Sequence, residues 1–106
     1  MTKPIKKLIR NGQVAVLYSP GFGAGWSTWN QEVPELVFEP VIVDFVEKEQ
    51  WEELAVYVTL KYPDLYDGGM RDLEIAWLDV GTEFRIHEYD GSESIEVKEQ
   101  MFWLTA

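Results

Sequence analysis

The spacing of apolar residues changes once along the chain, and that change decides the class of fold. Val41, Phe45 and Val46 face one way from a helix that starts near Pro40 or Val41. Trp51, Leu54, Ala55, Val58 and Tyr62 repeat at helical spacing in a second helix that ends before Pro63. From Arg71 onward the period is two. Leu73, Ile75 and Trp77 alternate with Asp72, Glu74 and Ala76, Phe84 and Ile86 with Glu83, Arg85 and His87, and Ile95 and Val97 with Ser94, Glu96 and Lys98. Turns at Val80-Gly81 and Asp90-Gly91 separate these runs, the second being a strong hairpin signal, and Met101 to Leu104 reads as a last strand.

Upstream, Gln13 to Tyr18 (QVAVLY) is a β-branched apolar run suited to a buried strand. Residues 3 to 10 set Ile5, Leu8 and Ile9 among basic residues and close on Asn11-Gly12, the pattern of one short amphipathic helix with a left-handed cap. The expected architecture is α+β, a small single domain over residues 1–106 with a mostly antiparallel sheet of four to five strands and helices packed on one face. Leu73, Ile75, Trp77, Phe84, Ile86 and Ile95 are expected to form the sheet side of its core, beneath Leu54, Ala55 and Val58.

A chain of 106 residues has room for one core, and five Trp, five Tyr and five Phe supply large areas to bury in it. Absence of Cys excludes disulfides, thiolate metal sites and thiol nucleophiles, and fits a reducing compartment. No apolar run approaches the roughly 20 residues of a membrane helix, and the first residues lack the apolar stretch of a secretory signal. The expectation is a soluble, cytoplasmic protein without membrane contact.

Charge is unevenly placed. Lys3, Lys6, Lys7 and Arg10 are four of the nine basic residues, so residues 11–106 hold five basic against 19 acidic groups, a balance of −14. Direct binding of nucleic acid through phosphate neutralisation is not expected of such a surface. The acidity either keeps the protein soluble or imitates nucleic acid toward a basic partner.

The QVAVLY run leads straight into Ser19-Pro20-Gly21-Phe22-Gly23-Ala24-Gly25, where glycines at alternate positions forbid regular structure. A strand followed by such a turn can aim backbone N–H groups at an anion. GFGAG is neither the dinucleotide fingerprint nor the Lys-bearing phosphate loop, and its glycines equally suit a backbone passing a crowded core. Tyr18, Phe22, Trp26 and Trp29 interleave with Ser19, Ser27, Thr28 and Asn30, a set that can stack a base and hold its phosphate or ribose. One of Trp26 and Trp29 is expected to plug the core instead. Arg71, after Gly68-Gly69-Met70, can add a bidentate contact to a phosphate or pair with Asp67 or Asp72. The candidate ligand-binding residues are therefore Ser19, Gly21, Gly23, Gly25, Trp26, Ser27, Trp29 and Arg71.

Nucleophilic catalysis finds poor support, and carboxylate or metal chemistry only slightly more. His87, the only histidine, falls on the strand face opposite Phe84 and Ile86, and GWSTW lacks the second glycine of a nucleophile elbow. Asp64 to Gly68 lacks the ligand pattern of an EF-hand, and crowding of Glu88, Asp90 and Glu93 is ordinary among 19 carboxylates. No catalytic residue, metal site or cofactor is assigned.

SPGFGAGWSTWN at 19–30 and GTEFRIHEYDGSES at 81–94 resemble segments of a group of small proteins encoded by tailed bacteriophages and prophages, a similarity running through most of the chain. The resemblance implies a phage setting and assigns no activity. Small acidic proteins of that setting resemble agents of host takeover or defence evasion. The leading expectation is a non-enzymatic binding protein that holds a nucleotide-like or phosphorylated small molecule in the glycine-aromatic loop, as a homo-oligomer that completes the pocket. The alternatives are an acidic inhibitor or nucleic-acid mimic that binds a host protein, and a small structural phage protein. They separate on the carboxylates: a sponge for an anion keeps them off its pocket, whereas a mimic displays them.

Overall fold

The structure, a computed structural model, describes residues 5–21 and 25–98. The QVAVLY run forms β2 (Gln13–Tyr18), the middle strand of an antiparallel sheet whose outer strands are β1 (Ile9–Arg10) and β3 (Glu74–Asp79). As expected of an unbroken apolar run, both faces of β2 are covered. Ala15 and Leu17 join the main core on one face, and Val14 and Val16 are buried on the other.

Helix α1 (Pro40–Glu47) opens on a proline whose fixed φ suits the first turn, behind Glu39, whose side chain accepts from the Val41 N–H at 3.1 Å. Helix α2 (Trp51–Lys61) follows a tight reversal closed by hydrogen bonds from the N–H groups of Glu49 and Gln50 to the carbonyls of Val46 and Phe45. Ile42, Val43 and Val46 of α1 and Leu54 and Val58 of α2 meet Ala15 and Leu17, and Trp26, Leu36, Met70 and Leu73 complete the cluster. Two further strands, β4 (Phe84–Tyr89) and β5 (Ser92–Val97), pair with each other across Asp90-Gly91, both residues at positive φ as a two-residue hairpin turn requires.

The expected class is α+β and the structure has it, with five antiparallel strands divided between sheets of three and two. Three details differ from the sequence reading. Where a helix was expected to precede Asn11-Gly12, Ile9 and Arg10 pair with Val14 and Gln13, because Asn11 and Gly12 both take positive φ (53° and 76°) and make a hairpin turn rather than a helix cap. Val41 is exposed, since the start of α1 at Pro40 turns Ile42, Val43 and Val46 inward. Phe84, Ile86 and Ile95 are half-buried on the separate ribbon and lie outside the main core cluster, where β2 supplies the sheet side with Leu73, Ile75 and Trp77. The expected strand at Met101 to Leu104 falls outside the described residues.

The basic N-terminal segment is partly used within the fold. Arg10 pairs with Glu47 at 2.7 Å and lies 4.9 Å over the Trp77 ring, and Lys7 lies 4.7 Å over Phe38.

The two helices are also tied by a buried carboxylate. Glu39, 4% exposed, accepts from the Tyr57 hydroxyl at 3.0 Å, the Tyr62 hydroxyl at 2.8 Å and Lys61 Nζ at 2.8 Å. Burial pushes the carboxyl up, but the hydrogen bonds from Lys61, Tyr62, the Val41 N–H and Tyr57 outweigh it and hold the group below its ordinary value. A depressed folded value means that the stabilisation is complete above the ordinary carboxylate value of 4.5 and is lost as pH falls through the folded one. The stability gap between the protein and its Glu39→Gln variant, measured by urea unfolding, should therefore narrow as pH falls from neutrality to below about 4. A gap that stays constant over that range would show that the cluster does not favour the charged form.

Candidate functional site

β2 delivers the chain into the glycine loop at Ser19, which is fully buried, with its hydroxyl donating to the Gly69 carbonyl at 2.9 Å. Gly21 passes so close to Asp72 that any Cβ there would overlap that side chain, and a Cβ on Gly25 would lie 2.6 Å from both Thr28 Oγ1 and the Trp29 ring. These two glycines are thus explained by close approach. Gly23 falls outside the described residues.

Donors around the loop do converge on an anion, and the anion is the chain's own Glu93. Its carboxylate, 1% exposed, accepts at Oε1 from the Ser19 N–H at 2.8 Å and at Oε2 from the N–H groups of Trp26 and Thr28, at 2.8 and 3.1 Å, and from the Thr28 hydroxyl. No basic side chain pairs with Glu93 among the described residues. Backbone dipoles and one hydroxyl replace the water that the charge has lost. The Glu93 N–H donates to the Ser19 carbonyl at 2.8 Å and the Ser92 hydroxyl to the Pro20 carbonyl at 2.7 Å, so the ribbon docks on the loop by polar contacts at this end and by Phe84 against Phe38 at the other.

Sequence reasoning grouped Glu93 with its acidic neighbours, although a signal was available. A two-residue turn at Asp90-Gly91 sets Glu88 directly opposite Glu93, and like charges in that position are unfavourable unless other groups hold them. Both are held. Glu88 accepts from the Trp29 indole N–H at 3.0 Å and from the Gly91 N–H at 2.9 Å, which keep its carboxyl below the ordinary range.

The two tryptophans divide as expected. Trp26 is fully buried, its indole N–H donating to the Leu36 carbonyl at 3.1 Å, whereas Trp29 is 42% exposed and stands 5.1 Å from the Tyr66 ring. Asn30 clamps the pair from below. Its amide donates to the carbonyls of Trp26 and Tyr66, and its oxygen accepts from the Tyr66 N–H. Trp29 and Tyr66 border a cleft of about 690 Å³ that Tyr62, Glu32 and Asp64 also line, and among the described residues no Lys or Arg does.

The expected ligand-binding set is not brought together. Ser19 and Trp26 serve the Glu93 nest, Ser27 is half-buried in a 3₁₀ turn, and Trp29 faces the first cleft. Gly21 and Arg71 line a second cleft of about 760 Å³ with Trp51, Glu49, Asp72 and Glu74. Arg71 makes no ion pair among the described residues, while Arg85 pairs across the ribbon with Glu96 at 2.6 Å. His87 is exposed on the outer face of β4, and no group of three or more His, Asp or Glu side chains is placed to hold a metal among the described residues. Nor is any helix there long and apolar enough to cross a membrane.

Comparison of the chain with family models, curated proteins and solved structures finds no match.

If Glu93 is the internal ligand of the loop, Glu93→Gln should cost about 3 kcal/mol in urea unfolding, because the amide oxygen serves only one side of the nest and the NH₂ faces the backbone donors of the other. A cost below about 0.5 kcal/mol would mean that the nest does not depend on the carboxylate.

Proposed function

We propose that the protein is a non-enzymatic binding protein, working in the host cytoplasm in a phage setting, that engages a basic protein partner through the acidic and aromatic cleft beside Trp29 and Tyr66. The single observation that carries this reading is the lining of that cleft: three aromatic rings and the carboxylates of Glu32 and Asp64, with no basic side chain among the described residues. A phosphorylated ligand is less well served. The loop donors at Ser19, Trp26 and Thr28 are occupied by Glu93, and Arg71 shares its cleft with Glu49, Asp72 and Glu74. A net charge of −10 adds to the same preference, since it repels anions and draws cations from a distance.

The two segments that carry the phage resemblance, 19–30 and 81–94, meet at this site: Glu93 and Glu88 of the second hold Thr28 and Trp29 of the first.

Titration with a short mixed lysine–arginine peptide, followed by Trp fluorescence, tests the reading. Affinity should fall steeply as salt rises, because screening shortens the reach of exposed charges to about 8 Å at physiological ionic strength. Trp29→Ala should weaken binding by about 2 kcal/mol, roughly 30-fold, without unfolding a ring that is already half in water. Salt-independent binding, or equal affinity in the variant, would contradict the proposal.

A further inference from the structure

We infer that the group the first cleft takes is a guanidinium, an arginine side chain of the partner, stacked on Trp29 and Tyr66 and bonded to Glu32 and Asp64. The inference rests on the cleft being the binding surface for a basic partner, and it goes further by naming the cation.

The geometry of the rings makes the choice. Trp29 and Tyr66 have centroids 5.1 Å apart and planes inclined by 38°, so they touch each other and leave no gap for a round cation between them. What they offer is the outer face of a tilted, stacked ring pair, a flat platform on residues 42% and 48% exposed. A planar, weakly hydrated guanidinium stacks on such a platform and still points its N–H groups outward in the plane, where carboxylates accept them. An ammonium is compact and strongly hydrated, and keeps most of its water on an open face.

The platform is also rigid and electron-rich. Asn30, 9% exposed, holds both peptide segments that carry the rings, and the Glu88 carboxylate accepts from the Trp29 indole N–H, which polarises the ring toward a more negative face. Lys61, the nearest cation in sequence to this wall, lies 5.5 Å over the Tyr62 ring and is paired with Glu39 at 2.8 Å, which leaves Trp29 and Tyr66 to an incoming cation.

The test compares peptides of equal length and charge in which every basic residue is arginine or every one is lysine. The arginine peptide should bind about tenfold more tightly. Tyr66→Ala should remove that preference and leave the weaker, salt-dependent binding common to both peptides. Glu32→Gln combined with Asp64→Asn, two exposed positions whose change does not threaten the fold, should likewise bring the peptides to within about twofold of each other. Equal binding of both peptides by the unaltered protein would overturn the guanidinium assignment while leaving a basic partner in place. Failure of both peptides to bind would overturn the guanidinium assignment and the basic partner together, and binding of the lysine peptide alone would overturn the assignment.

Discussion

A buried carboxylate held by backbone donors sets the terms for this fold. Removing a carboxylate from water is costly, and Glu93 is 1% exposed with no Lys or Arg to meet it among the described residues. The cost is offset by donors that a strand end, a glycine loop and a 3₁₀ turn bring to one point: the N–H groups of Ser19, Trp26 and Thr28 and the Thr28 hydroxyl. Those donors come from residues far apart in sequence from Glu93, so the same bonds that solvate the charge fasten the β4–β5 ribbon to the three-stranded sheet. An isolated two-stranded ribbon is marginal in water, and this one contributes no residue to the main hydrophobic cluster other than by contact at its ends. Its placement therefore leans on polar bonds at one end and on Phe84 against Phe38 at the other.

That arrangement changes what the glycine loop can do. A loop rich in free N–H groups invites a phosphate, and the chain fills the invitation with its own side chain. In the proposed reading, binding falls to what lies beside the nest, the Trp29–Tyr66 platform, whose indole is fixed by the second carboxylate of the same cross-strand pair. Glu88 and Glu93, opposed in register, are thus each held by the 26–29 turn, one through the indole of Trp29 and the other through backbone N–H groups.

Much of the architecture was legible from local signals. β2, the two helices, the Asp90-Gly91 hairpin and the outward-facing His87 follow from spacing and turn chemistry. Asn11-Gly12 was not, because the pair serves equally as a helix cap and as a hairpin turn, and only its pairing with β2 decides between them. The division into two sheets was hidden for a related reason: period-two spacing reports which side chains share a face and says nothing about which strand lies next to which. The division of labour between Trp26 and Trp29 was expected, though which plugged the core depended on the turn between them. Glu93 escaped notice because charge is read from sequence as surface, and its burial depends on donors more than sixty residues away.

Amide hydrogen exchange at Ser19, Trp26 and Thr28 tests the central claim most directly, since it reads the three N–H groups one by one. If the Glu93 carboxylate holds them, all three exchange slowly in the intact protein and lose protection together in Glu93→Ala, which removes both acceptor oxygens, while the amides of Leu54 and Val58 in α2 keep theirs under conditions where the variant is folded. Protection at the three loop amides that survives the substitution, or its loss at only one of them, would contradict an account in which a single buried carboxylate organises the loop and seats the ribbon.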